Sequence, residues 1–159
     1  MNILIIGSGG REHAIAMALS KSLIKNQLFA LPGNPGINEY CECIDIDPSN
    51  FREIKNFSKN NNIDLVIVGP EVPICEGITD YLKEYKIDVF APSLEASKLE
   101  SSKKFTKEIA FENNIPTGEA KWFDNYADAC LYLEKLEAPY VIKADGLAAG
   151  KGVLIIDNP

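Results

Sequence analysis

Short apolar runs alternate with helical segments through the first hundred residues, and this alternation restricts the fold more than any other feature. Residues 2–6, 27–31, 43–46, 64–68 and 89–91 read as strands. Residues 11–23, 47–60 and 77–85 between them have the spacing or the capping residues of helices, with Asp47 and Pro48 suited to the start of the second helix. The strands are continuously apolar, which is typical of a sheet covered on both faces. The order therefore predicts an α/β domain with a parallel sheet.

Beyond residue 92 the sequence becomes polar and rich in lysine, and it predicts a second unit. Residues 93–113 read as helical, with Ser101 or Ser102 as an N-cap. A strand at 120–123, a helix at 125–136 and two strands at 140–144 and 153–156 follow. We place the boundary near residue 100, which gives domains of 1–100 and 101–159. The second domain has too few elements to be complete, so we expect the chain to be the front part of a longer protein.

The composition excludes several classes of protein. The 159 residues are 46% hydrophobic and carry a formal net charge of −7, which permits a real core but argues against a broad nucleic-acid-binding surface. No apolar stretch approaches the roughly 20 residues that span a bilayer, and the start of the chain does not resemble a secretion signal. The four cysteines and the single histidine lack the spacing of a metal site. We therefore expect a cytoplasmic protein with reduced thiols and with neither a nucleic-acid nor a membrane partner.

The first strand leads into a glycine-rich turn at residues 7–12, GSGGRE, which begins like the dinucleotide fingerprint G-x-G-x-x-G. The sixth position should be small so that the helix can approach the sheet, but it is Glu12, and no acidic residue follows the second strand. A dinucleotide site is therefore disfavoured. Free amides at a helix N-terminus, together with the guanidinium of Arg11, are still suited to a phosphate. The alternative is a tight glycine turn beside a solvated arginine.

Two further loops follow strands and are expected at the same edge of the sheet, because ligands of parallel sheets collect at the carboxyl ends of the strands. Residues 32–36, PGNPG, can turn backbone amides and the Asn34 side chain toward that crevice. Glu71 lies between two prolines and is placed to meet hydroxyls or an amine of a ligand. The alternatives are an ordinary Pro/Gly turn and a glutamate that only caps the next helix.

The stretch VIKADGLAAGKGVLII, residues 141–156, combines glycines with lysines between two apolar runs. A Walker A loop would need glycine at 145 and a hydroxyl residue at 152, where the chain has Asp145 and Gly152, and it would lead into a helix rather than a strand. Strand, glycine-rich loop and strand predict a hairpin that closes over phosphates as a lid. Lys143 in its first strand needs an anion or solvent. The alternative is a linker-like hairpin whose edge lysine prevents aggregation.

Six motifs occur in a fixed order, namely GSGGREHA, PGNPG, IVGPE, LESSKKFTK, IPT and VIKADGLAAGKGV. Together they closely resemble the N-terminal part of members of the phosphoribosylamine–glycine ligase family. These proteins are ATP-grasp enzymes of de novo purine synthesis. The resemblance spans essentially the whole chain; Ala91, where the family usually has glycine, is a small departure. It implies a Rossmann-like, pre-ATP-grasp domain that binds phosphoribosylamine, followed by the truncated start of an ATP-grasp domain.

The resemblance also implies a reaction and a set of site residues. ATP phosphorylates glycine to glycyl phosphate, and 5-phosphoribosylamine attacks it to give glycinamide ribonucleotide, ADP and phosphate. The implied cofactors are ATP and Mg²⁺ or Mn²⁺, whose metal ligands would lie downstream of this chain. The implied substrate-binding residues are Gly9, Gly10, Arg11, Asn34 and Glu71. The implied nucleotide-binding residues are Lys103, Lys143, Gly146, Leu147, Ala148, Ala149, Gly150, Lys151 and Gly152.

Two other functions stay open at this point. One is another ATP-grasp ligase of purine synthesis, and the other is a non-catalytic module that binds a phosphoribosyl group or a nucleotide. No catalytic residue is assigned, and the partners implied are small molecules: 5-phosphoribosylamine, glycine and ATP. Channelling to other purine-pathway enzymes is not specified by the sequence. We expect the chain by itself to be inactive because the metal ligands and the glycine site would lie downstream.

Overall fold

The computed structural model describes residues 1–24 and 26–157, and the chain divides into two compact units, Met1–Ser97 and Lys98–Pro159. The first unit contains five parallel strands in the order β3-β2-β1-β4-β5. Their bounds are β1 Asn2–Gly7, β2 Gln27–Pro32, β3 Glu42–Cys43, β4 Leu65–Val68 and β5 Val89–Phe90. The predicted α/β fold with a parallel sheet is confirmed.

Helices connect these strands in the predicted alternation. They are α1 Gly10–Ser20, a 3₁₀ turn at Ile37–Glu39, α2 Phe51–Asn60, α3 Glu71–Cys75, α4 Ile78–Glu84 and α5 Leu94–Ser101. The chain runs from β1 to β2 on one side and later returns to place β4 on the other side of β1. In a parallel sheet, such a reversal opens a crevice at the carboxyl ends of the two strands. The fold therefore puts the loops after β1 and β4 next to each other.

Both faces of the sheet carry a hydrophobic core. On one face Leu4 and Ile6 pack with residues of α2 and α4, including Ile54 and Leu82. On the other face Ile3 and Ile5 belong to a cluster that also contains residues of α1 and of the 3₁₀ turn. All four of these β1 side chains are buried. This explains why β1 is a continuous apolar run rather than an alternating one.

The start of α2 corrects one sequence prediction. Asp47 does not cap this helix; its Oδ1 accepts hydrogen bonds from the backbone N–H and the hydroxyl of Ser49, both at 2.8 Å. The N-cap is Asn50, whose side chain accepts from the Glu53 backbone N–H at 3.2 Å. Aspartate readily closes such local turns in competition with helix capping, so the helix begins later than predicted.

The second unit contains α6 Lys103–Glu112, α7 Tyr126–Leu133, β6 Tyr140–Lys143 and β7 Val153–Ile156. Ser102 is the N-cap of α6, and its hydroxyl accepts from the Phe105 N–H at 3.1 Å. The strands β6 and β7 pair antiparallel, with Lys143 opposite Val153. The predicted hairpin is therefore confirmed, and it differs from the strand–loop–helix arrangement of a Walker A site.

The strand predicted at residues 120–123 is wrong, because the structure has no strand there. The aromatic side chains of this segment contact helices instead. Phe123 lies 5.3 Å from the ring of Tyr132 on α7, and the Lys104 ammonium group of α6 lies 5.5 Å from the ring of Trp122. The apolar residues that suggested a strand therefore contact side chains of neighbouring helices.

Candidate functional site

A cleft of ≈ 710 Å³ opens at the carboxyl ends of the strands in the first unit. It collects the loops after β1, β2 and β4 together with the turn before α2. The residues that line it are Gly7, Ser8, Gly9, Gly10, Arg11, Glu12, Pro32, Asp47, Pro48, Ser49, Pro70, Glu71, Val72, Pro73 and Glu76. The predicted residues Gly9, Gly10, Arg11 and Glu71 thus share one cleft. Their contact with a substrate remains a prediction.

The turn after β1 presents the N-terminus of α1 to this cleft. Gly7 has φ +130, a conformation that favours glycine, and Gly10 begins the helix. A side chain at Gly10 would meet nothing within 4 Å, so the backbone is open on that side. The first N–H groups of a helix have no partner within the helix and carry its positive dipole end. This is the local chemistry that binds a phosphate.

Glu12 lies folded back beneath the turn and is only 5% exposed. Its Oε2 accepts a hydrogen bond from the Gly9 backbone N–H at 2.7 Å. The rest of its side chain fills the space beside Gly7 and Gly69, where a Cβ on Gly69 would lie 1.8 Å from Oε1. In the sequence, Glu12 stands out only as a departure from the dinucleotide fingerprint. A glutamate three residues after an N-cap is the sequence sign of a side chain that folds back onto the cap. Here the cap is Gly9 and not the serine or threonine of a capping box, so the sign is incomplete.

Arg11 reaches across the cleft to the neighbouring loop, where its Nη1 donates to the Gly69 carbonyl. A guanidinium has five donors, so others remain for a ligand. Arg11 is the one lysine or arginine among the described residues that line the cleft, which also include the acidic Asp47, Glu71 and Glu76. The backbone N–H of Ser49, followed by its hydroxyl, holds the pKa of Asp47 below its usual value. The cleft therefore combines one cation with several carboxylates.

Asn34 has a different position from the other predicted substrate residues. Its Nδ2 donates to the Ser8 carbonyl at 2.7 Å, and its Oδ1 accepts from the Ile37 N–H at 2.9 Å. Both ends of the amide thus join the loop after β2 to the turn after β1 and to the 3₁₀ turn. Asn34 therefore connects these loops, and it is absent from the described residues that line the cleft.

In the second unit, Asp145 fastens the glycine-rich hairpin to the start of α6. Its Oδ1 accepts from the N–H groups of Lys103 and Lys104, at 2.6 and 3.3 Å, and its Oδ2 accepts from the Ser102 hydroxyl at 3.0 Å. Burial acts to raise the pKa of Asp145, but the Ser102 hydroxyl and the backbone N–H groups of Lys104, Lys103 and Gly146 outweigh it and lower the pKa. Asp145, one of the two departures from the Walker A pattern, is therefore an acceptor for the first N–H groups of α6, next to the N-cap Ser102.

Two of the predicted nucleotide residues are brought together by this arrangement. The Lys103 ammonium group donates at 2.8 Å to the carbonyl of Gly146, the residue that follows Asp145. Lys143 is exposed on β6, so its charge is solvated rather than buried. At the tip, the Lys151 N–H donates to the Ala148 carbonyl at 2.8 Å and closes a turn. The other predicted positions, Leu147, Ala149, Gly150 and Gly152, lie in the same loop between β6 and β7.

Across residues 1–24 and 26–157, no group of three or more His, Cys, Asp or Glu side chains is placed to hold a metal ion. All four cysteines are free thiols, and burial, followed by the charge of Cys43, raises the pKa of Cys41 to about 11. In the same residues, no helix has the length and apolar character that crossing a membrane requires.

Comparison with known proteins gives matches along the whole chain. The family model described as phosphoribosylglycinamide synthetase, N domain, matches residues 1–100, and the one described as phosphoribosylglycinamide synthetase, ATP-grasp (A) domain, matches residues 101–159. The phosphoribosylamine–glycine ligase of Caldanaerobacter subterraneus is 45% identical over 156 residues, which are 98% of this chain and 37% of that protein. The ligase of the same name from Mesorhizobium japonicum is 47% identical over 155 residues, 98% of this chain and 36% of that protein.

A solved structure gives the same relationship. The crystal structure of phosphoribosylamine–glycine ligase from Thermotoga maritima is similar with a TM-score of 0.77 and 30% sequence identity, covering 99% of this chain and 36% of that one. The chain thus spans between 36% and 37% of the length of these three relatives.

Proposed function

Because the chain belongs to the phosphoribosylglycinamide synthetase family, we propose that it is the N-terminal part of an enzyme that joins glycine to 5-phosphoribosylamine. In this reaction the terminal phosphoryl group of ATP is transferred to the glycine carboxylate, which gives glycyl phosphate and ADP. The amine of 5-phosphoribosylamine then attacks the glycyl carbonyl, and phosphate leaves to yield glycinamide ribonucleotide. The order of the two matched domains along the chain carries this proposal.

In the first unit, we assign the 5-phosphoribosylamine site to the cleft. The first-turn amides of α1 at Gly10 and Arg11, with the Arg11 guanidinium, bind the phosphate. Glu71 at the start of α3 accepts hydrogen bonds from the ribose hydroxyls or the amine. Gly9 supplies the shape of the turn, because its own N–H already donates to Glu12. The Asn34 amide keeps the two loops in register for this ligand.

In the second unit, we assign the ATP contacts to Lys103, Lys143 and the loop at residues 146–152. The amides of a glycine-rich tip can approach phosphate oxygens closely, and the two ammonium groups neutralise their charge. The hydrogen bond from the Lys103 ammonium group to the Gly146 carbonyl supports this grouping. ATP supplies the phosphoryl group, and Mg²⁺ or Mn²⁺ would be held by residues outside this chain.

A chimera tests the proposed function. This chain would replace the matching 156 residues of the Caldanaerobacter ligase, and ADP formation would be measured with and without glycine and 5-phosphoribosylamine. We expect ADP formation that depends on both substrates and a product with the mass of glycinamide ribonucleotide. A folded chimera without such turnover would contradict the proposed function. If the chain nevertheless bound ribose 5-phosphate, that result would favour a non-catalytic binding module.

A further inference from the structure

The buried carboxyl group of Glu12 has a place in the cleft that the proposed reaction does not use. It is 5% exposed, it lines the cleft, and it accepts the Gly9 N–H. Building on the proposed function, we propose that Glu12 determines the specificity of this site. Its carboxylate takes a backbone donor that a diphosphate bridge would need, so the cleft accepts a phosphate monoester and excludes ligands with two linked phosphates.

Glu12 limits the backbone donors that the turn after β1 offers to a ligand. A dinucleotide loop holds its pyrophosphate with free amides of the glycine turn and of the helix N-terminus. Here the Gly9 N–H is bound to Glu12 Oε2 at 2.7 Å. The remaining amides of the first turn of α1 can satisfy a single phosphate, whereas a second phosphate toward Gly9 would have to displace a buried hydrogen bond to a charged group. Hydrogen bonds to charged groups are among the stronger ones, so this displacement is unfavourable.

The packing of the Glu12 side chain against Gly7 and Gly69 fixes the position of its carboxyl group. In the dinucleotide fingerprint, the third glycine leaves room for the helix to pack closely on the strand. In this chain that room is filled by the Glu12 side chain, whose Cδ would lie 2.6 Å from a Cβ on Gly7 and 2.5 Å from one on Gly69. Because Gly7 and Gly69 have no side chains, they leave a space for the carboxyl group, which we call the Glu12 seat. This space lies between the turn after β1 and the loop after β4.

The charged groups that line the cleft also discriminate between the two kinds of ligand. A carboxylate in the first turn of α1 partly neutralises the positive end of the helix dipole, which would otherwise attract an anion. Asp47, Glu71 and Glu76 also line the cleft, and Arg11 is the one lysine or arginine among its described lining residues. A diphosphate bridge would place its second charged phosphate toward Gly9, beside the Glu12 carboxylate, while a monoester with hydroxyls and an amine can pair its neutral or cationic part with the carboxylates. The charges therefore favour the smaller ligand.

Two probes test this inference: ribose 5-phosphate, and ADP-ribose, in which the same ribose phosphate is joined to adenosine through a diphosphate bridge. Binding of each to the whole chain is measured by calorimetry. The readout is the ratio of their dissociation constants. We expect the wild-type chain to bind ADP-ribose at least ~10-fold more weakly than ribose 5-phosphate. Glu12→Ala, which frees the Gly9 N–H and empties the seat, should improve the ratio for ADP-ribose by ~10-fold or more. Glu12→Gln, which keeps an oxygen acceptor but removes the charge, should improve it by about 3-fold.

Glu76→Gln is the matched control, because it removes one carboxylate from the cleft without touching the Gly9 N–H. It should improve the ratio for ADP-ribose by less than about 3-fold, because it removes one carboxylate charge and leaves the Gly9 N–H bound to Glu12. An unchanged ratio in whichever Glu12 variants are folded would overturn the inference, as would a Glu76→Gln effect equal to that of Glu12→Ala. Failure of the wild type to bind ribose 5-phosphate would contradict the substrate assignment instead, and a gain of ADP-ribose binding in the Glu12 variants would still support the role of Glu12.

Discussion

The space beside Gly69 is filled by the carboxyl group of Glu12, and this makes Gly69 a sensitive position. A Cβ there would lie 1.8 Å from Glu12 Oε1, so Gly69→Ala must displace a buried side chain. We expect a loss of about 1–3 kcal/mol in the free energy of unfolding, as for other overpacked positions. Urea denaturation of the chain measures this loss. Gly10→Ala is the control, since a Cβ at Gly10 meets nothing within 4 Å, and it should cost less than about 0.5 kcal/mol.

The same clash can be removed from the other side. In the double variant Glu12→Ala/Gly69→Ala, the added methyl group enters the space that the glutamate has left. We expect the double variant to be more stable than the sum of the two single losses predicts, with a coupling of about 1 kcal/mol or more. Strictly additive losses would show that the two residues do not compete for this space.

Arg11 gives a second prediction, for binding rather than stability. Its guanidinium is anchored on the Gly69 carbonyl and has further donors for a phosphate. Arg11→Ala should weaken ribose 5-phosphate binding about 10-fold or more, and Arg11→Lys should weaken it less because the charge is kept but the forked geometry is lost. Calorimetry measures both. Arg52→Ala on the exposed side of α2 is the control, and an equal loss there would show that the effect is general electrostatics.

At the scale of elements, the joint between the hairpin and α6 depends on Asp145. Its folded-state pKa is lowered from 3.8, so its stabilising effect is present above that pH and is lost as the pH falls through the lower folded-state value. In the wild type we expect hydrogen-exchange protection of the Lys103 and Lys104 amides to fall as the medium becomes more acidic than about pH 4. Asp145→Asn should weaken this protection at neutral pH, by about 1 kcal/mol, and remove the acid dependence.

Asp124→Asn is the control for that experiment, because Asp124 is exposed in the same unit. It should leave the protection of the Lys103 and Lys104 amides unchanged at both pH values. If Asp145→Asn and the wild type showed the same dependence on acid, the loss would have to come from other carboxyl groups, and Asp145 would not be the acceptor that holds the Lys103 and Lys104 amides.

The elements that the sequence predicted well are those whose burial is uniform. The strands β1 and β2 each have four buried apolar residues in succession, so a short continuous apolar run that ends in a Gly- or Pro-rich turn identifies them. Local competition decided the failures: Asp47 closes a turn with Ser49, and residues 120–123 place aromatic side chains on helices. The seat of Glu12 could not be predicted, because it depends on Gly69, which is distant in sequence and adjacent only after β1 and β4 pair.

At the scale of the whole chain, the two units differ in how completely they bury their apolar surface. The first has a core on each face of its sheet, with Leu4, Ile5 and Ile6 fully buried. In the second, the hairpin leaves Leu154 and Ile155 61% and 70% exposed. A unit with its own core is expected to form its binding site without further sequence, whereas a lid with both strands largely exposed is expected to enclose nothing.

This difference predicts separate outcomes for binding and for turnover. The chain of 159 residues should bind ribose 5-phosphate within about 3-fold of the affinity of the full-length chimera, a difference smaller than 1.4 kcal/mol. It should give no glycine-dependent ADP formation, because phosphoryl transfer requires phosphate charges to be neutralised in an enclosed site and the exposed hairpin provides no enclosure. Calorimetry and a coupled ADP assay measure the two quantities on one sample, with the chimera as the positive control. Turnover by the chain alone would contradict the prediction, and loss of ribose 5-phosphate binding would show that the cleft also depends on sequence outside this chain.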